Sequence, residues 1–183
     1  MRTFSIDGID HEFVAFDTIG DGSCFIHSVM YSFNKDYRTL DKNGRREMVA
    51  KLRSDLADVL DEKKGEKTYY ERLSRGQIKE LSEVLPEMKL SNMKRFLKSR
   101  SWITMFYLEL ISNQLDLDIV IIDEKTKKIY KTGDKEIYFK HRDTVLVNYI
   151  EEAHFESVGV KAGDRVITLF SPDCELIQKL KYM

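Results

Sequence analysis

Cys24 stands where a glycine-punctuated turn, Gly20-Asp21-Gly22-Ser23, runs into an apolar stretch, Phe25-Ile26-His27-Ser28-Val29. Cysteine chemistry requires a thiolate, and a helix start favours an anion through its unpaired N–H groups and about half a positive charge. Gly20 and Gly22 allow tight or left-handed backbone beside it. A helix terminus contributes about 0.3–1 kcal/mol, and ~2 in favourable geometry. Because 1.36 kcal/mol is one pKa unit, the dipole alone lowers a thiol by about one unit. A larger depression needs a cationic partner, which in practice means an imidazole.

Four histidines are available. His11 lies in an extended N-terminal segment and His141 in the charged run Lys140-His141-Arg142-Asp143, and both are expected in solvent. His27 follows Cys24 on the same helix one turn inward, so it points along the helix rather than across a cleft. A structural role is expected for it. His154 is different: it follows a strong strand pattern and opens a second one, His154-Phe155-Glu156-Ser157-Val158. Alternate strand residues share a face, so Glu156 can fix the imidazole and stabilise imidazolium, as the third member of a triad does. Glu156 is otherwise an ordinary solvent-facing acid. Asp21 is either a turn or helix-capping residue or a direct participant. Cys174, in Ser171-Pro172-Asp173-Cys174, lacks a basic or glycine-rich setting and reads as an unreactive thiol.

The elements that must position these residues follow from periodicity. Residues 3–19 read as extended, with a turn at Asp7-Gly8. Phe25, Ile26, Val29, Met30 and Phe33 form a buried helical stripe after the glycine turn, and 34–44 reads as a polar loop. A helix is expected over 45–60, where Met48, Val49, Leu52, Leu56 and Leu60 recur at helical spacing. The charged run at 63–67 reads as a solvated turn. Two or three short helices are expected over 69–97, punctuated by Gly76 and Pro86, and another from about Trp102 to Leu115 with Ile103, Phe106 and Leu110 in register. Asp118-Ile119-Val120-Ile121-Ile122-Asp123 has the β-branched texture of a strand buried on both faces. Further strands are expected at 128–131, 137–139, 144–150, 154–160 and 165–170, with a last helix over 173–181. Helices segregated from strands in this way indicate α+β.

The residues now carry a resemblance. Gly20-Asp21-Gly22-Ser23-Cys24-Phe25-Ile26-His27 resembles the first signature of the OTU (ovarian tumour) cysteine proteases, and His154-Phe155-Glu156-Ser157-Val158 resembles their second. A third match is Ser101-Trp102 with Glu109-Leu110-Ile111-Ser112, similar to the tryptophan-led helix before the family's central strand. The resemblance runs in order from about Phe13 to Phe170, and the overall texture is similar to stand-alone OTU proteins of large DNA viruses. It implies an OTU-like fold, with a small, mostly antiparallel sheet between helical layers, formed by residues 1–183 as one domain. It also implies deubiquitination, hydrolysis of the isopeptide bond after ubiquitin's C-terminal glycine through a thioester on Cys24. His154 is then the general base and acid, and Asp21 the acid of the Asp-Gly-x-Cys signature. Glu156 stands where many relatives have Asp or Asn. Backbone N–H groups of Gly22, Ser23 and Cys24 are implied as the oxyanion hole. Trp102 is expected in the core, or with its edge shaping a narrow approach for a Gly-Gly tail. Ubiquitin or polyubiquitin is the implied partner, with ubiquitin-like modifiers as further candidates, and no cofactor is implied.

Two rival readings stand beside this one. Cys24, His27, His154 and Cys174 hold the atoms of a Cys2His2 zinc site but lack its paired spacing. A ubiquitin-binding module that kept the fold and lost turnover is the other. Composition narrows the field further. Thirty basic and 31 acidic residues leave a formal charge of −1, which gives no footprint for nucleic acid. No run approaches the ~18 apolar residues of a membrane span, and Met1–Asp7 lacks the apolar core of a secretory signal. Two distant cysteines suit a reducing compartment. A soluble cytoplasmic monomer is expected, in the host cytoplasm if the chain is viral.

Overall fold

The computed structural model describes residues 1–104, 107–132, 141–150 and 154–183. Two compact units are distinguished, one made of residues 1–45 and 102–183, the other of residues 46–101. The first opens on an antiparallel hairpin, β1 (Arg2–Ile6) and β2 (Ile9–Phe16). Helix α1 (Cys24–Phe33) follows the glycine turn, with Phe25, Ile26, Val29 and Met30 buried as their spacing predicts. The stretch 34–44 is not a loop. Asn34 caps a short helix α2 (Lys35–Thr39) by accepting from the Tyr37 N–H at 2.9 Å, and α3 (Lys42–Val59) begins soon after. The lone aromatic Tyr37 is 1% exposed, so one buried anchor organises a segment whose polarity hides it.

In the second unit α3 buries Val49 and Leu56, and its core continues through Leu60, Tyr70, Ile78, Met93 and Leu97. The charged run is an exposed two-stranded ribbon, β3 (Lys63–Lys64) and β4 (Lys67–Thr68). Short helices α4 (Tyr69–Arg72), α5 (Ile78–Val84) and α6 (Leu90–Lys98) follow. Arg53 is buried, and its guanidinium donates to the carbonyls of Phe96, Leu97 and Ser101 at 3.0, 2.8 and 3.0 Å. It thereby ties α3 to the carbonyls at and just beyond the end of α6.

The chain returns to the first unit at Trp102. The helix expected from there begins only at Leu108, as α7 (Leu108–Leu115). Ile103 N–H instead donates to Gly22 O at 3.1 Å, which holds this segment against the glycine turn. Phe106, expected on that helix, lies outside the described residues. The sheet is completed by β5 (Asp118–Asp123), β6 (Ile129–Lys131), β7 (Thr144–Ile150), β8 (His154–Ala162), β9 (Arg165–Ile167) and β10 (Leu169–Phe170), with α8 (Glu175–Tyr182) last. The strand expected at 137–139 lies outside the described residues. The strand expected over 165–170 divides at Thr168, whose hydroxyl donates to Ser32 O at 2.6 Å.

The strand order is β1-β2-β8-β7-β5-β6, with β9 on β8 and β10 on β7. Among the described residues β5 and β7 run parallel and the other pairs antiparallel. Alternation along the strands places Val120, Ile122, Leu146, Val158 and Val160 on one face, packed with Leu176, Ile177 and Leu180 of α8. On the other face α1 meets β8, where Phe25 packs edge-on to Phe155 at 5.2 Å and Ser32 Oγ lies 2.8 Å from Ser157 Oγ. A one-residue slip of β8 would exchange these faces. Full burial of each Val or Leu is worth about 1.5–3 kcal/mol, so the register is strongly held. The architecture is α+β, with a mostly antiparallel sheet between helices.

Candidate active site

The turn before α1 is organised by Asp21. Its Oδ1 accepts from Ser23 N–H at 2.8 Å, and its carbonyl accepts from Cys24 N–H at 3.0 Å. This is the Asx-turn use of an acid, and Ser23 makes no side-chain cap of its own. Asp21 Oδ2 lies 3.5 Å from His27 Nε2, and His27 Nδ1 lies 2.7 Å from the Tyr37 hydroxyl. Burial pushes the Tyr37 phenol up to about 12, so at neutral pH the hydroxyl is protonated and able to donate or accept in this contact. His27 is thus a buried link from Tyr37 to Asp21, in keeping with the structural role expected of it.

Cys24 opens α1 with 1% exposure. Burial pushes its thiol above the ordinary range, and the N–H groups of Phe155 and Phe25 oppose that shift without cancelling it. Burial is a second influence on the thiol, opposite in sign to the lowering expected from the helix start. One cause that opposes the upward shift is the backbone N–H of Phe155, the residue directly after His154. Phe155 is wedged between Phe25 and Tyr149, at 5.2 and 4.9 Å between ring centroids. Its carbonyl accepts from Thr18 Oγ1 at 2.7 Å. The aromatic after the histidine is the clamp that joins β8 to α1.

His154 stands at the first position of β8. Its Nε2 is 3.4 Å from Asp17 Oδ1, and its side chain is 22% exposed. Gly20 lies beside the ring: a Cβ there would be 3.9 Å from the His154 Cε1, an ordinary van der Waals contact. Asp17, Thr18, Ile19, Gly20, Leu40, Lys42, Arg45 and His154 line a cavity of about 760 Å³, so the imidazole opens onto room for a substrate.

Glu156 is placed otherwise than expected. It is 6% exposed rather than facing solvent. Its Oε2 accepts from Arg2 Nη2 at 2.7 Å and from Asn148 Nδ2 at 3.2 Å. Arg2 also holds Glu124 through two bonds of 2.8 and 2.5 Å. Among the described residues the carboxylate in reach of His154 is that of Asp17, which the motifs did not mark. The hint lies in strand pairing: Phe16 faces Ser157 across β2 and β8, so the next residues of the first strand run past the start of the second.

The remaining candidates divide. Trp102 is 52% exposed, so it is not core, and the Ile103–Gly22 bond sets it beside the Cys24 turn. Of the N–H groups implied as an oxyanion hole, those of Ser23 and Cys24 donate to Asp21. His11 and His141 are exposed. Cys174 lies far along the fold, against the hydrophobic cluster under α8. With His27 engaged by Tyr37 and Asp21, the four atoms of the zinc reading are not gathered, and no metal-holding group of three such side chains occurs among the described residues. No helix among the described residues is long and apolar enough to cross a membrane.

The fold that carries this arrangement is that of an OTU domain. The chain is similar to an ovarian tumour (OTU) domain in complex with ubiquitin, with 16% identity and a TM-score of 0.60 over 98% of this chain and 87% of that one. It is similar to the viral OTU domain protease of Taggert virus, at 10% identity and a TM-score of 0.54 over 90% and 88% of the two chains. It is also similar to the Hazara virus OTU bound to ubiquitin, at 18% identity and a TM-score of 0.53 over 88% of each chain. No protein-family model and no curated protein matches the sequence.

Proposed function

We propose that the chain is a cysteine-type deubiquitinase, one OTU domain that hydrolyses the isopeptide bond after the C-terminal glycine of ubiquitin. The observation that carries this reading is the packing of Phe25, directly after Cys24, on Phe155, directly after His154, at 5.2 Å between ring centroids. It brings a helix-start cysteine to the residue that follows His154, within an OTU fold. Two of the similar domains are bound to ubiquitin, which supports ubiquitin or polyubiquitin as partner.

In this mechanism His154 takes the Cys24 proton, and the resulting imidazolium offsets the burial that holds the thiol protonated. The thiolate attacks the carbonyl carbon of the terminal glycine. His154 returns the proton to the departing lysine amine, leaving a thioester on Cys24. Water, deprotonated by His154, then releases the ubiquitin carboxylate and the free thiol. The oxyanion is assigned to the Gly22-Ser23-Cys24 turn, where the Ser23 and Cys24 N–H groups must both turn from Asp21 toward the substrate. Each such donor is worth about 2.7–4 kcal/mol. Trp102, exposed beside that turn, borders the approach for the Gly-Gly tail.

Hydrolysis of ubiquitin carrying a C-terminal fluorogenic amide, and of a panel of diubiquitin linkages, tests the reading. Wild type should turn over while Cys24→Ala and His154→Ala should not. Tight ubiquitin binding without turnover by wild type would favour the module that kept the fold and lost catalysis.

A further inference from the structure

We infer that Asp17 is the residue that orients His154, in place of the two acids the motifs mark. The inference rests on the cysteine-protease reading of the Cys24 site. Asp21 spends one carboxylate oxygen on Ser23 N–H and directs the other to His27. Glu156 is buried on Arg2 and Asn148. Asp17 Oδ1 lies 3.4 Å from His154 Nε2, and both residues line one cavity. The neighbouring residue fixes the segment: Thr18 Oγ1 donates to the carbonyl of Phe155, which follows His154, at 2.7 Å. Asp17 is thereby held at the start of β8 by a bond that does not involve its own carboxylate.

The consequence is a choice of nitrogen. An Asp17 carboxylate accepts from Nε2–H, which leaves the lone pair on Nδ1 to take the thiol proton. The same carboxylate then favours the imidazolium that forms. Asp17 is 82% exposed, so its attraction is screened by water. A substrate covering the cavity removes that water and strengthens the interaction. Asp17 is a positioning residue, since it acts through His154 and touches no reacting atom.

Among the described residues, Lys42 and Arg45 are the other charged side chains that line this cavity. The two cations disfavour an imidazolium, which makes an acid at Asp17 more necessary. Thiolate and imidazolium form as a pair, so loss of the carboxylate that fixes the ring leaves less of the pair in place to react.

The experiment compares wild type, Asp17→Asn, Asp17→Glu and Glu156→Gln in two assays, with thermal midpoints as a folding control. The first is the pH profile of Cys24 alkylation by iodoacetamide, which needs no ubiquitin and tests the geometry even if the substrate assignment fails. The second is kcat and KM on a ubiquitin fluorogenic substrate. Asp17→Asn should slow alkylation across the profile and lower kcat by about 10²-fold. KM and the thermal midpoint should stay near wild type, and Asp17→Glu should restore part of the alkylation rate. An Asp17→Asn profile superimposable on wild type, or a slowing confined to Glu156→Gln, would overturn the assignment.

Discussion

Arg2 Nη2 donates to Glu156 Oε2 at 2.7 Å, across 154 positions of sequence. The acid two residues beyond His154 is thus held by the first strand. The same guanidinium holds Glu124 through both of its carboxylate oxygens.

Arg2→Ala should therefore leave two acids beside Asn148 without their counter-charge. Removing one partner of a fully buried pair costs about 3–5 kcal/mol. The Arg2 side chain is 39% exposed, so solvent reduces this to about 1–2 kcal/mol. The loss depends on pH with a definite sign. The bond to Arg2 holds the Glu124 carboxyl below its ordinary value of 4.5, so the stabilisation is present above the unfolded-state value and disappears as pH falls through the folded one. Denaturant midpoints of wild type and Arg2→Ala should differ most near pH 7 and converge below pH 4. A constant difference across that range would contradict the pairing.

Gly159→Ala tests the packing that supports β8. A Cβ at Gly159 would lie 2.4 Å from Val166 Cγ1 and 2.8 Å from Ile167 O. The second of these is backbone, which cannot turn aside. Overpacking of this kind costs about 1–3 kcal/mol, and here it should act by lifting β9 from β8. Hydrogen exchange should show lost protection at Val166 and Ile167 first.

Tyr37 offers a spectroscopic check on the buried link to Asp21. Its phenol is pushed up to about 12, chiefly by burial. Absorbance titration should resolve one tyrosine of nine that ionises late. Stability tied to the protonated hydroxyl is present below the ordinary tyrosine value of about 10 and is lost as pH rises toward 12. Tyr37→Phe should remove the late transition and cost about 1 kcal/mol. A titration in which every tyrosine ionises near pH 10 would show that Tyr37 is not held in this way.

Trp102→Ala separates substrate contact from core packing. An exposed residue away from such features contributes within about 0.5 kcal/mol to stability, so the melting midpoint should hold. A truncated aromatic hot spot in an interface costs more than ~1 kcal/mol. KM for ubiquitin substrates should rise about tenfold while kcat stays within about threefold. A destabilised protein with unchanged KM would return Trp102 to a packing role.

The parts of this structure legible in the sequence are those with short-range causes. The Cys24 turn, the α1 stripe, the buried β5 run and the His154 strand all announce themselves through local spacing. The sheet faces follow from alternation once the strands are known. What was hidden depends on partners distant in sequence. Tyr37 is a single aromatic in a polar stretch, and its burial makes α2 a helix. Trp102 leaves its expected helix because Ile103 bonds to Gly22 O. Asp17 has no spacing relation to His154, since their meeting depends on the pairing of β2 with β8. Glu156 shares the strand parity of His154 as expected, yet Arg2 claims its carboxylate. The thiol of Cys24 shows the same limit: a helix start is visible in the sequence, whereas the burial that pushes the thiol up is not.

The most direct test of the account is a covalent adduct with ubiquitin bearing a thiol-reactive electrophile at its C-terminus. Peptide mapping should place the adduct on Cys24. Cys24→Ala should abolish it, and Cys174→Ala should leave it unchanged. An adduct that persists in Cys24→Ala, one that maps to Cys174, or wild-type protein that binds the probe without reacting would contradict the central claim that Cys24 is the nucleophile of a deubiquitinase.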